Sequence, residues 1–291
     1  MSSIHSFDYP LVSILMTVYN REVFIVEAIE SVLANNYANW ELIITDDCST
    51  DNSYEIAKKY ASKDERIRLY KNEKNLGDYP NRNRAASYAN GAYIVIVDSD
   101  DRMYPDSLEK WVLFMQESGC KFGVFNFTDA SESFVLDSPT IIQRHFFENP
   151  ILNFGPVATI IDNNYFKSIN GFSTKYGPAN DMYSNLKAAI GTSVAVFPFP
   201  LVDYRIHEGQ EMNNKYGYLA NNYLYLRDAL HELDLPLSST QIKYLSKKNK
   251  RRFFFNLLKF FFKTFDFKKT FLAVRVSNLG MKDVFIALFQ K

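Results

Sequence analysis

The stretch Tyr93-Ile94-Val95-Ile96-Val97-Asp98-Ser99-Asp100-Asp101 decides the fold class of this chain. Its first five residues are β-branched or aromatic, which is typical of a strand that is buried on both faces. Three carboxylates follow within the next four residues. Because open α/β sheets bind their ligands beyond the carboxyl ends of the strands, these acids stand where a functional site is expected.

Three neighbouring acids repel one another unless a cation or solvent offsets their charge. Carboxylate oxygens are hard ligands that suit Mg²⁺ or Mn²⁺, and such an ion can hold a phosphate group. The alternative is a solvated turn whose last acid caps a helix that begins near Pro105. Capping explains one acid rather than three, so the pattern favours a metal site.

Strands and helices alternate on either side of the acid-bearing strand. This alternation predicts parallel βαβ units with right-handed crossovers, and therefore a doubly wound, Rossmann-like and mostly parallel sheet that is flanked by helices. The predicted strands are Leu11–Val18, Glu41–Thr45, Ile67–Tyr70, Tyr93–Val97, Lys121–Phe127, Val157–Ile161 and Val194–Phe197, and the predicted helices are Val23–Asn35, one capped by Ser49 or Asp51, Pro80–Asn90, Asp106–Glu117 and Met182–Ala189.

The composition describes a folded chain with an uneven charge distribution. Its 291 residues are 47% hydrophobic, which is enough for a large core. The formal net charge is +0, but residues 241–291 hold 13 of the 33 basic residues and only 2 of the 33 acidic ones. Two cysteines without metal-ligand spacing predict reduced, intracellular thiols. We expect neither a signal peptide nor a membrane-spanning segment.

Polar side chains follow the first two strands as well as the acid-bearing one. Thr17 and Tyr19 follow the first strand, and Asp46 and Asp47 follow the second. Parallel strands bring these ends together, where Tyr19 can stack on a base and a carboxylate can accept from a base or ribose group. The alternatives are that Tyr19 packs at the sheet edge and that Asp47, with Ser49, caps a helix.

A diphosphate at this edge needs partners other than a glycine-rich loop. The segment from Thr17 to Glu22 contains no glycine, which argues against a dinucleotide or Walker-type loop. Arg82 and Arg84 are candidates for the diphosphate, and a solvated helix face is an equally open interpretation of both.

Several ordered motifs of the chain resemble one protein family. They are Val12–Glu22 (VSILMTVYNRE), Ala28–Leu33 (AIESVL), Trp40–Asp51 (WELIITDDCSTD), Asn75-Leu76-Gly77, Arg82-Asn83, Gly91–Ile94 and the acid cluster. Together they resemble the family 2 glycosyltransferases of the GT-A fold. The resemblance covers residues 10–118 closely and residues 158–208 more loosely.

This resemblance implies an inverting, metal-assisted transferase that uses a nucleotide-sugar donor. Most of its implied site residues bind that donor or the metal, and Asp101 is left with a supporting or capping role. The implied nucleotide contacts are Thr17, Tyr19, Glu22, Asp46 or Asp47, Arg82, Asp98 and Ser99, and the implied metal ligands are Asp98, Asp100 and His207. The donor is expected to be a UDP-sugar, with GDP- and dTDP-sugars as alternatives, and the metal Mn²⁺ or Mg²⁺.

The acceptor side departs from the family pattern in two places. The family has a Glu-Asp pair whose Asp acts as the catalytic base, whereas this chain has Asn180-Asp181, so Asp181 matches and the Glu does not. Asp181 is also a candidate N-cap of its helix. The Gln-x-x-Arg-Trp motif of processive synthases is absent, which implies transfer of a single sugar to a lipid-linked or saccharide acceptor.

The C-terminal segment is basic and rich in phenylalanine. As a helix it would place Arg252, Lys259 and Lys263 on a narrow polar stripe, with Phe254, Leu257, Leu258, Phe261, Phe262 and Phe265 over the rest. This profile predicts a helix on an anionic membrane surface. The alternatives are packing on the catalytic body and a homodimer contact; nucleic acid ranks last because the phenylalanines are not interleaved with the basic residues.

We therefore predict a catalytic domain over residues 1–235 and a helical extension over 236–291. The catalytic domain divides into a nucleotide-binding half, 1–118, and an acceptor-binding half, 119–235. The expected location is cytoplasmic, on the inner face of the cell membrane. Two rival functions are a sugar-nucleotide pyrophosphorylase and a nucleotide-sugar-binding or scaffold protein with a degenerate site.

Overall fold

A computed structural model describes residues 9–127, 130–208, 219–278 and 280 of the chain. These residues contain a large sheet, a small two-stranded sheet and helices on both faces of the large one. The strands are β1 (Val12–Val18), β2 (Trp40–Asp46), β3 (Ile67–Lys71), β4 (Tyr93–Ile96), β5 (Arg102–Met103), β6 (Phe122–Phe125), β7 (Phe134–Leu136), β8 (Thr159–Asp162), β9 (Val194–Phe197) and β10 (Val202–Asp203).

The large sheet has the strand order β3-β2-β1-β4-β8-β6-β9-β7 within the described residues. Its neighbours β3, β2, β1 and β4 run parallel, as do β6 and β9. Strand β8 is antiparallel to both β4 and β6, and β7 is antiparallel to β9. The carboxyl ends of β1, β2, β4, β6 and β9 therefore meet at one edge, and the predicted mostly parallel sheet is confirmed.

Helices cover both faces of this sheet. They are α1 (Ile25–Leu33), α2 (Ser53–Ala61), α3 (Asp78–Ser87), α4 (Ser107–Ser118), α5 (Ser138–Phe147), α6 (Asn163–Ser168), α7 (Asn180–Ile190), α8 (Asn221–Glu232), α9 (Ser239–Thr264) and α10 (Phe267–Ser277). Alternate residues of β1 point to opposite faces, so Ile14 packs in a core with Ile25 and Trp111, whereas Leu15 packs in a second core with Ala85 and Leu186.

Most predicted elements are present with bounds shifted by a few residues, and several predictions of detail are wrong. The strand predicted from Val157 begins at Thr159, because Pro156–Ala158 forms a 3₁₀ turn. Asp181 is not a helix N-cap: a second 3₁₀ turn, Gly177–Ala179, leads directly into α7 and puts Asp181 inside its first turn. Neither candidate cap of α2 is its N-cap residue, which is Asn52; Asp51, one residue earlier, accepts the Ser53 N–H at 3.0 Å.

The C-terminal extension consists of α9 and α10 in the described part of the chain. Helix α9 begins with a capping box, in which Ser238 and Gln241 exchange hydrogen bonds with each other's backbone N–H groups. Its apolar row Leu245, Phe253, Leu257 and Phe260 is buried. Among the described residues, no helix combines the length and the apolar character needed to cross a bilayer.

A buried polar cluster fixes the amino ends of β1, β2 and β4 against one another. The Glu41 carboxylate accepts hydrogen bonds from the Ser13 hydroxyl (2.7 Å), the Asn90 N–H (2.7 Å) and the Arg68 guanidinium (2.7 Å). Burial alone would raise the pKa of Glu41, but these donors hold it below its ordinary value. The Gly91 N–H donates to the same Ser13 hydroxyl at 2.9 Å.

Replacing Gly91 by Ala should destabilise the fold at this cluster. A Cβ at residue 91 would lie 2.5 Å from the Ser13 nitrogen and 2.7 Å from the Leu11 oxygen, both backbone atoms. Moving paired strands apart to make room should lower the free energy of unfolding by about 1 to 3 kcal/mol, measured by urea denaturation. Gly155→Ala is the matched control, since a Cβ there meets nothing within 4 Å. An equal loss of stability in Gly91→Ala and Gly155→Ala would contradict this explanation.

Candidate active site

The acid cluster lies in the turn that directly follows β4, at the edge where the parallel strands end. One oxygen from each of Asp98, Asp100 and Asp101 lies within 4.8 Å of the others. The Ser99 hydroxyl donates to the Thr17 carbonyl at 2.8 Å, which ties this turn to the end of β1. The sequence-predicted convergence of the first and fourth strand ends is therefore present.

Asp98 is paired with a buried arginine from α3. The Arg82 guanidinium donates to both oxygens of Asp98, at 2.7 and 3.0 Å, and its Nε donates to Asp78 at 2.7 Å. Burial raises the pKa of Asp98, and Arg82 opposes that rise. Burial would lower the pKa of Arg82, but Asp78 and Asp98 raise it above its ordinary value. In this arrangement Arg82 orients Asp98.

Asp100 contacts two basic side chains that come from distant parts of the chain. Its Oδ2 lies 2.9 Å from Arg21 Nε and 3.0 Å from His207 Nε2. The His207 ring stacks on Phe24, with the ring centroids 4.4 Å apart. The predicted metal ligands Asp100 and His207 are thus brought together across 107 residues.

Asp101 is fully buried and is held by the segment that carries His207. The Arg205 N–H donates to Asp101 Oδ1 at 3.1 Å, and the Arg205 side chain donates to the backbone oxygens of Asp100 and Asp101. The second oxygen, Oδ2, has no hydrogen-bond partner among the described residues. Burial and the neighbouring carboxylate of Asp98 raise the pKa of Asp101 to about 8.

The donor set of this cluster fits a hard divalent cation. Three carboxylates converge, and one of them retains a buried oxygen without a partner. Burying several acids side by side is costly unless positive charge is supplied. Carboxylate oxygens in such a group are the ligands that Mg²⁺ and Mn²⁺ prefer, so the residues present are chemically suited to either ion.

The predicted nucleoside-binding residues lie at the ends of β1 and β2. Tyr19 is half-exposed, which leaves a ring face free for stacking. Asp46 is buried, and its Oδ1 accepts the Ser49 N–H at 3.0 Å. Its Oδ2 has no partner among the described residues, so Asp46 keeps an acceptor for a ligand.

Two other predicted nucleotide contacts are engaged within the chain. Asp47 accepts the N–H groups of Leu76 (2.8 Å) and Gly77 (2.9 Å) and the Asn72 amide (2.7 Å), so it holds the turn before α3. Glu22 accepts the backbone and side-chain N–H groups of Asn52, at 3.0 and 2.7 Å, at the start of α2. The alternative that Asp47 caps α2 is therefore wrong, because its carboxylate holds the turn before α3 and the N-cap residue of α2 is Asn52.

Asp181 lies in the first turn of α7. Burial raises its pKa to about 7, with opposing contributions from the Met182 N–H, which donates to Asp181 Oδ1 at 2.7 Å, and from Arg82. Of the charged groups of α3, Arg82 lowers the pKa of Asp181 and Asp78 raises it. A carboxylate with a pKa near neutrality has the properties of a general base.

Contacts between the two halves of the chain fix the position of α7. The Asn83 amide of α3 donates to the Phe172 carbonyl and accepts the Phe172 N–H, both at 2.9 Å. Gly171 approaches so closely that a Cβ there would lie 2.7 Å from Asn83 Oδ1. Burial, followed by the charge of Asp181, raises the pKa of the buried Tyr79 hydroxyl above its ordinary value.

The sequence profile of Glycosyl transferase family 2 matches residues 13–170. The chain belongs to this family. The sequence-based resemblance to family 2 glycosyltransferases is thereby confirmed. The matched range includes the acid cluster with Arg21 and Arg82, and it ends before Asp181 and His207.

Named relatives differ in how much of the chain they match. The Escherichia coli UDP-Glc:alpha-D-GlcNAc-diphosphoundecaprenol beta-1,3-glucosyltransferase WfgD is 30% identical over 225 residues, which cover 76% of this chain and 87% of that protein. The Bacillus subtilis putative teichuronic acid biosynthesis glycosyltransferase TuaG is 42% identical over 113 residues, or 39% of this chain. The chain spans 45% of TuaG and 39% of the B. subtilis putative glycosyltransferase EpsE.

Solved structures share the family 2 fold of this chain. S. aureus TarS 1-349 in complex with UDP-GlcNAc gives a TM-score of 0.71 at 20% identity and covers 90% of this chain, which itself covers 79% of that one. The mannosyltransferase PcManGT from Pyrobaculum calidifontis, in complex with GDP-Man and Mn2+, gives a TM-score of 0.66 at 14% identity. This match covers 95% of this chain and 78% of that one. The predicted α/β fold with a C-terminal helical extension is confirmed.

Sequence reasoning missed two arginines that shape the family 2 site. Arg21 contacts Asp100, and Arg205 holds the backbone of Asp100 and Asp101. Arg21 stands directly before the predicted Glu22, and Arg205 stands two residues before the predicted His207. Their positions beside predicted site residues were the available signal, and only the fold shows which acids they contact.

Proposed function

We propose that this chain is a metal-dependent, inverting glycosyltransferase. It transfers one sugar from a nucleotide-sugar donor to a hydroxyl group of a lipid-linked or cell-surface polysaccharide precursor. The observation that carries the proposal is the convergence of Asp98, Asp100 and Asp101 at the sheet edge. The pKa of Asp181, raised to about 7, supports it. Family membership supports the transferase part of the proposal.

The donor half, residues 1–118, binds the nucleotide-sugar. Tyr19 stacks on the base, and Asp46 accepts a hydrogen bond from the nucleoside through its unpartnered oxygen. Asp98, Asp100 and His207 would hold Mn²⁺ or Mg²⁺, which when bound offsets the negative charge that develops on the departing diphosphate. A UDP-sugar is the favoured donor, supported by the UDP-sugars named for WfgD and TarS; GDP- and dTDP-sugars are the alternatives.

The acceptor half, residues 119–235, supplies the base. Asp181 accepts the proton of the acceptor hydroxyl as that oxygen bonds to the anomeric carbon, while the bond between this carbon and the diphosphate oxygen breaks. The nucleoside diphosphate leaves from the opposite face, so the anomeric configuration inverts. The raised pKa of Asp181 matches this task, because a base is most effective when its pKa is close to the working pH.

The acceptor and the location follow from the same proposal. The acceptor named for WfgD is a diphosphoundecaprenol-linked sugar, which supports a lipid-linked acceptor for this chain. A transferase that uses such an acceptor works at the inner face of the cell membrane, with residues 236–291 as an extension of the catalytic domain. The missing Gln-x-x-Arg-Trp motif supports transfer of a single sugar.

The test of the donor is a thermal-shift screen of UDP-, GDP- and dTDP-sugars with and without Mn²⁺. A donor at about 100 times its dissociation constant should stabilise the fold by about 2.7 kcal/mol, and chelation of the metal should remove the shift. Hydrolysis of the same donor in the absence of acceptor would then report the leaving-group chemistry. A chain that responds to no nucleotide-sugar in the presence of Mn²⁺ would reject the proposal.

A further inference from the structure

A group of phenylalanine rings stands exposed where α9 ends and α10 begins. Phe262 and Phe265 are 65% exposed, and Phe267 and Phe271 are 70% exposed. We call these four residues, with Leu272 at 56%, the aromatic corner. Large apolar side chains clustered on a surface mark an interaction site.

The aromatic corner is not the face by which the extension packs on the catalytic body. That face is a different row of α9, in which Phe253, Leu257 and Phe260 are buried and Phe253 stacks on Tyr223 at 4.7 Å. The buried Asn249 amide donates to the Tyr223 carbonyl at 2.9 Å. The extension is therefore already docked by one apolar row, and the corner is a second one.

Phe265 occupies a backbone conformation that phenylalanine rarely adopts. It ends α9 with φ 52°, in the left-handed region that Gly or Asn normally occupies at a helix end. Helix α10 ends in the same conformation, and there the residue is Asn278, at φ 53°. At 65% exposure the ring gains little burial that could offset this unfavourable conformation, which points to a role for the ring outside the fold.

The charge around the corner is positive. From Ser239 to Asn278 the chain has one acidic residue, Asp266, whose carboxylate accepts the Lys269 N–H at 2.9 Å and so caps α10. The exposed basic residues of the two helices near the corner are Lys259, Lys263, Lys268, Lys269 and Arg275. Exposed rings and exposed basic groups are thus combined on one pair of helices.

The combination of exposed rings and positive charge decides which kind of surface can cover the aromatic corner. A second copy of the chain, docked corner to corner, would bring basic residues against basic residues, which repel. A bilayer that contains anionic lipid accepts both features, because the rings insert among the acyl chains while Lys and Arg stay with the headgroups. We propose that the aromatic corner is the surface by which this protein binds an anionic lipid bilayer.

A membrane contact at the aromatic corner makes the location given in the proposed function more specific. It rests on the proposed function only for its advantage, which is access to a lipid-linked acceptor. The alternative that the tail packs on the catalytic body also holds, for the row of α9 that contains Phe253. The membrane-binding surface that was predicted along the helix is therefore limited to the end of α9 and the start of α10. Leu257, predicted on the membrane face, packs in the interior instead.

The test measures co-sedimentation of the full chain with phosphatidylcholine vesicles that do or do not contain phosphatidylglycerol. Phe265→Asn, which copies the helix end at Asn278, should lower the binding constant for anionic vesicles about tenfold, with a melting temperature that stays level or rises. The double variant Phe267→Ser, Phe271→Ser should lower this binding constant further. The double variant Lys268→Gln, Lys269→Gln should lower it about tenfold. Phe127→Ser is the matched control, since Phe127 is 75% exposed in the other half of the chain.

Each outcome of this experiment decides the inference. It is supported if the corner variants lose vesicle binding, keep their melting temperature and keep the donor-induced thermal shift, while Phe127→Ser binds normally. It is overturned if the corner variants bind vesicles as well as the unmodified chain does, or if Phe127→Ser loses as much vesicle binding as they do. It is also overturned if the corner variants lose thermal stability, or dissociate from a dimer to a monomer, instead of losing vesicle binding. Because the donor shift is read on the same samples, failure of vesicle binding and failure of the proposed transfer are distinguishable.

Discussion

Replacing Asp181 by Asn should lower the rate of sugar transfer by about 10² to 10⁴-fold. The change keeps the shape of the side chain but removes the group that accepts the acceptor proton. Donor binding should survive, because Asp181 belongs to the acceptor side, and the donor-induced thermal shift measures it. The transfer rate is followed by release of the nucleoside diphosphate in the presence of acceptor.

The pH dependence gives a second readout for Asp181. The carboxylate must be ionised to act as a base, and its pKa is raised to about 7, so kcat/KM should fall as pH decreases below about 7 and level off above it. Stability should respond in the opposite direction. The folded state binds a proton at Asp181 that the unfolded chain releases near pH 4, so the free energy of unfolding declines between about pH 4 and 7.

Asp181→Asn should remove this decline and stabilise the fold at pH 8 by on the order of 2 kcal/mol, with little gain at pH 4. Urea denaturation at the two pH values measures the difference. Asp137→Asn is the control, since Asp137 is an exposed cap of α5 and Asn is an equally good cap. Normal transfer by Asp181→Asn, or loss of stability at both pH values, would show that Asp181 has a structural role instead.

Asp100→Asn should abolish Mn²⁺-dependent donor binding and lower transfer by at least about 10²-fold, while the fold stays intact. The carboxylate contacts Arg21 and His207, which are both partly exposed and can be solvated when it is lost. The cost in stability should therefore remain within about 1 kcal/mol. Thermal shift with and without Mn²⁺, together with urea denaturation, separates the two effects.

Asp98→Asn is the informative comparison, because it should cause the same loss of activity together with a clear decrease in the free energy of unfolding. Arg82 has a side chain only 7% exposed, and the substitution removes the negative charge that pairs with it and one of the two oxygens that accept its hydrogen bonds. Breaking a buried pair from one side costs on the order of 3 kcal/mol. If Asp100→Asn proved as destabilising as Asp98→Asn, or if it retained metal-dependent binding, the roles given to the two acids would be incorrect.

Local sequence patterns predicted much of the donor half. The β-branched run before Asp98 and the polar residues after β1 and β2 identified the sheet edge, because side-chain alternation and strand order leave parallel strand ends few other arrangements. The roles of Asp47 and Glu22 were not predictable in this way. Each accepts hydrogen bonds from a backbone segment about 30 residues away, and such pairings depend on how loops fold over the sheet.

The C-terminal extension shows the same limit. Its basic and aromatic composition predicted a surface for an anionic partner, but composition did not say which row of α9 would be buried. Packing in one cluster with Tyr223 decided that Phe253 and Leu257 belong to the interior. What remained exposed was the aromatic corner, which includes a phenylalanine at a helix end where local propensity favours glycine.

The sequence by itself determined the α/β class, the acid cluster behind its buried strand, and the division into an acidic body and a basic tail, since each depends on residues that are close together in the chain. Only the tertiary structure decided which acids keep a free oxygen and that Arg21 and His207 meet at Asp100. Those contacts join segments about 80 to 110 residues apart. They follow from the reversed strand β8 and from the packing of α3 against the second half, which no local periodicity encodes.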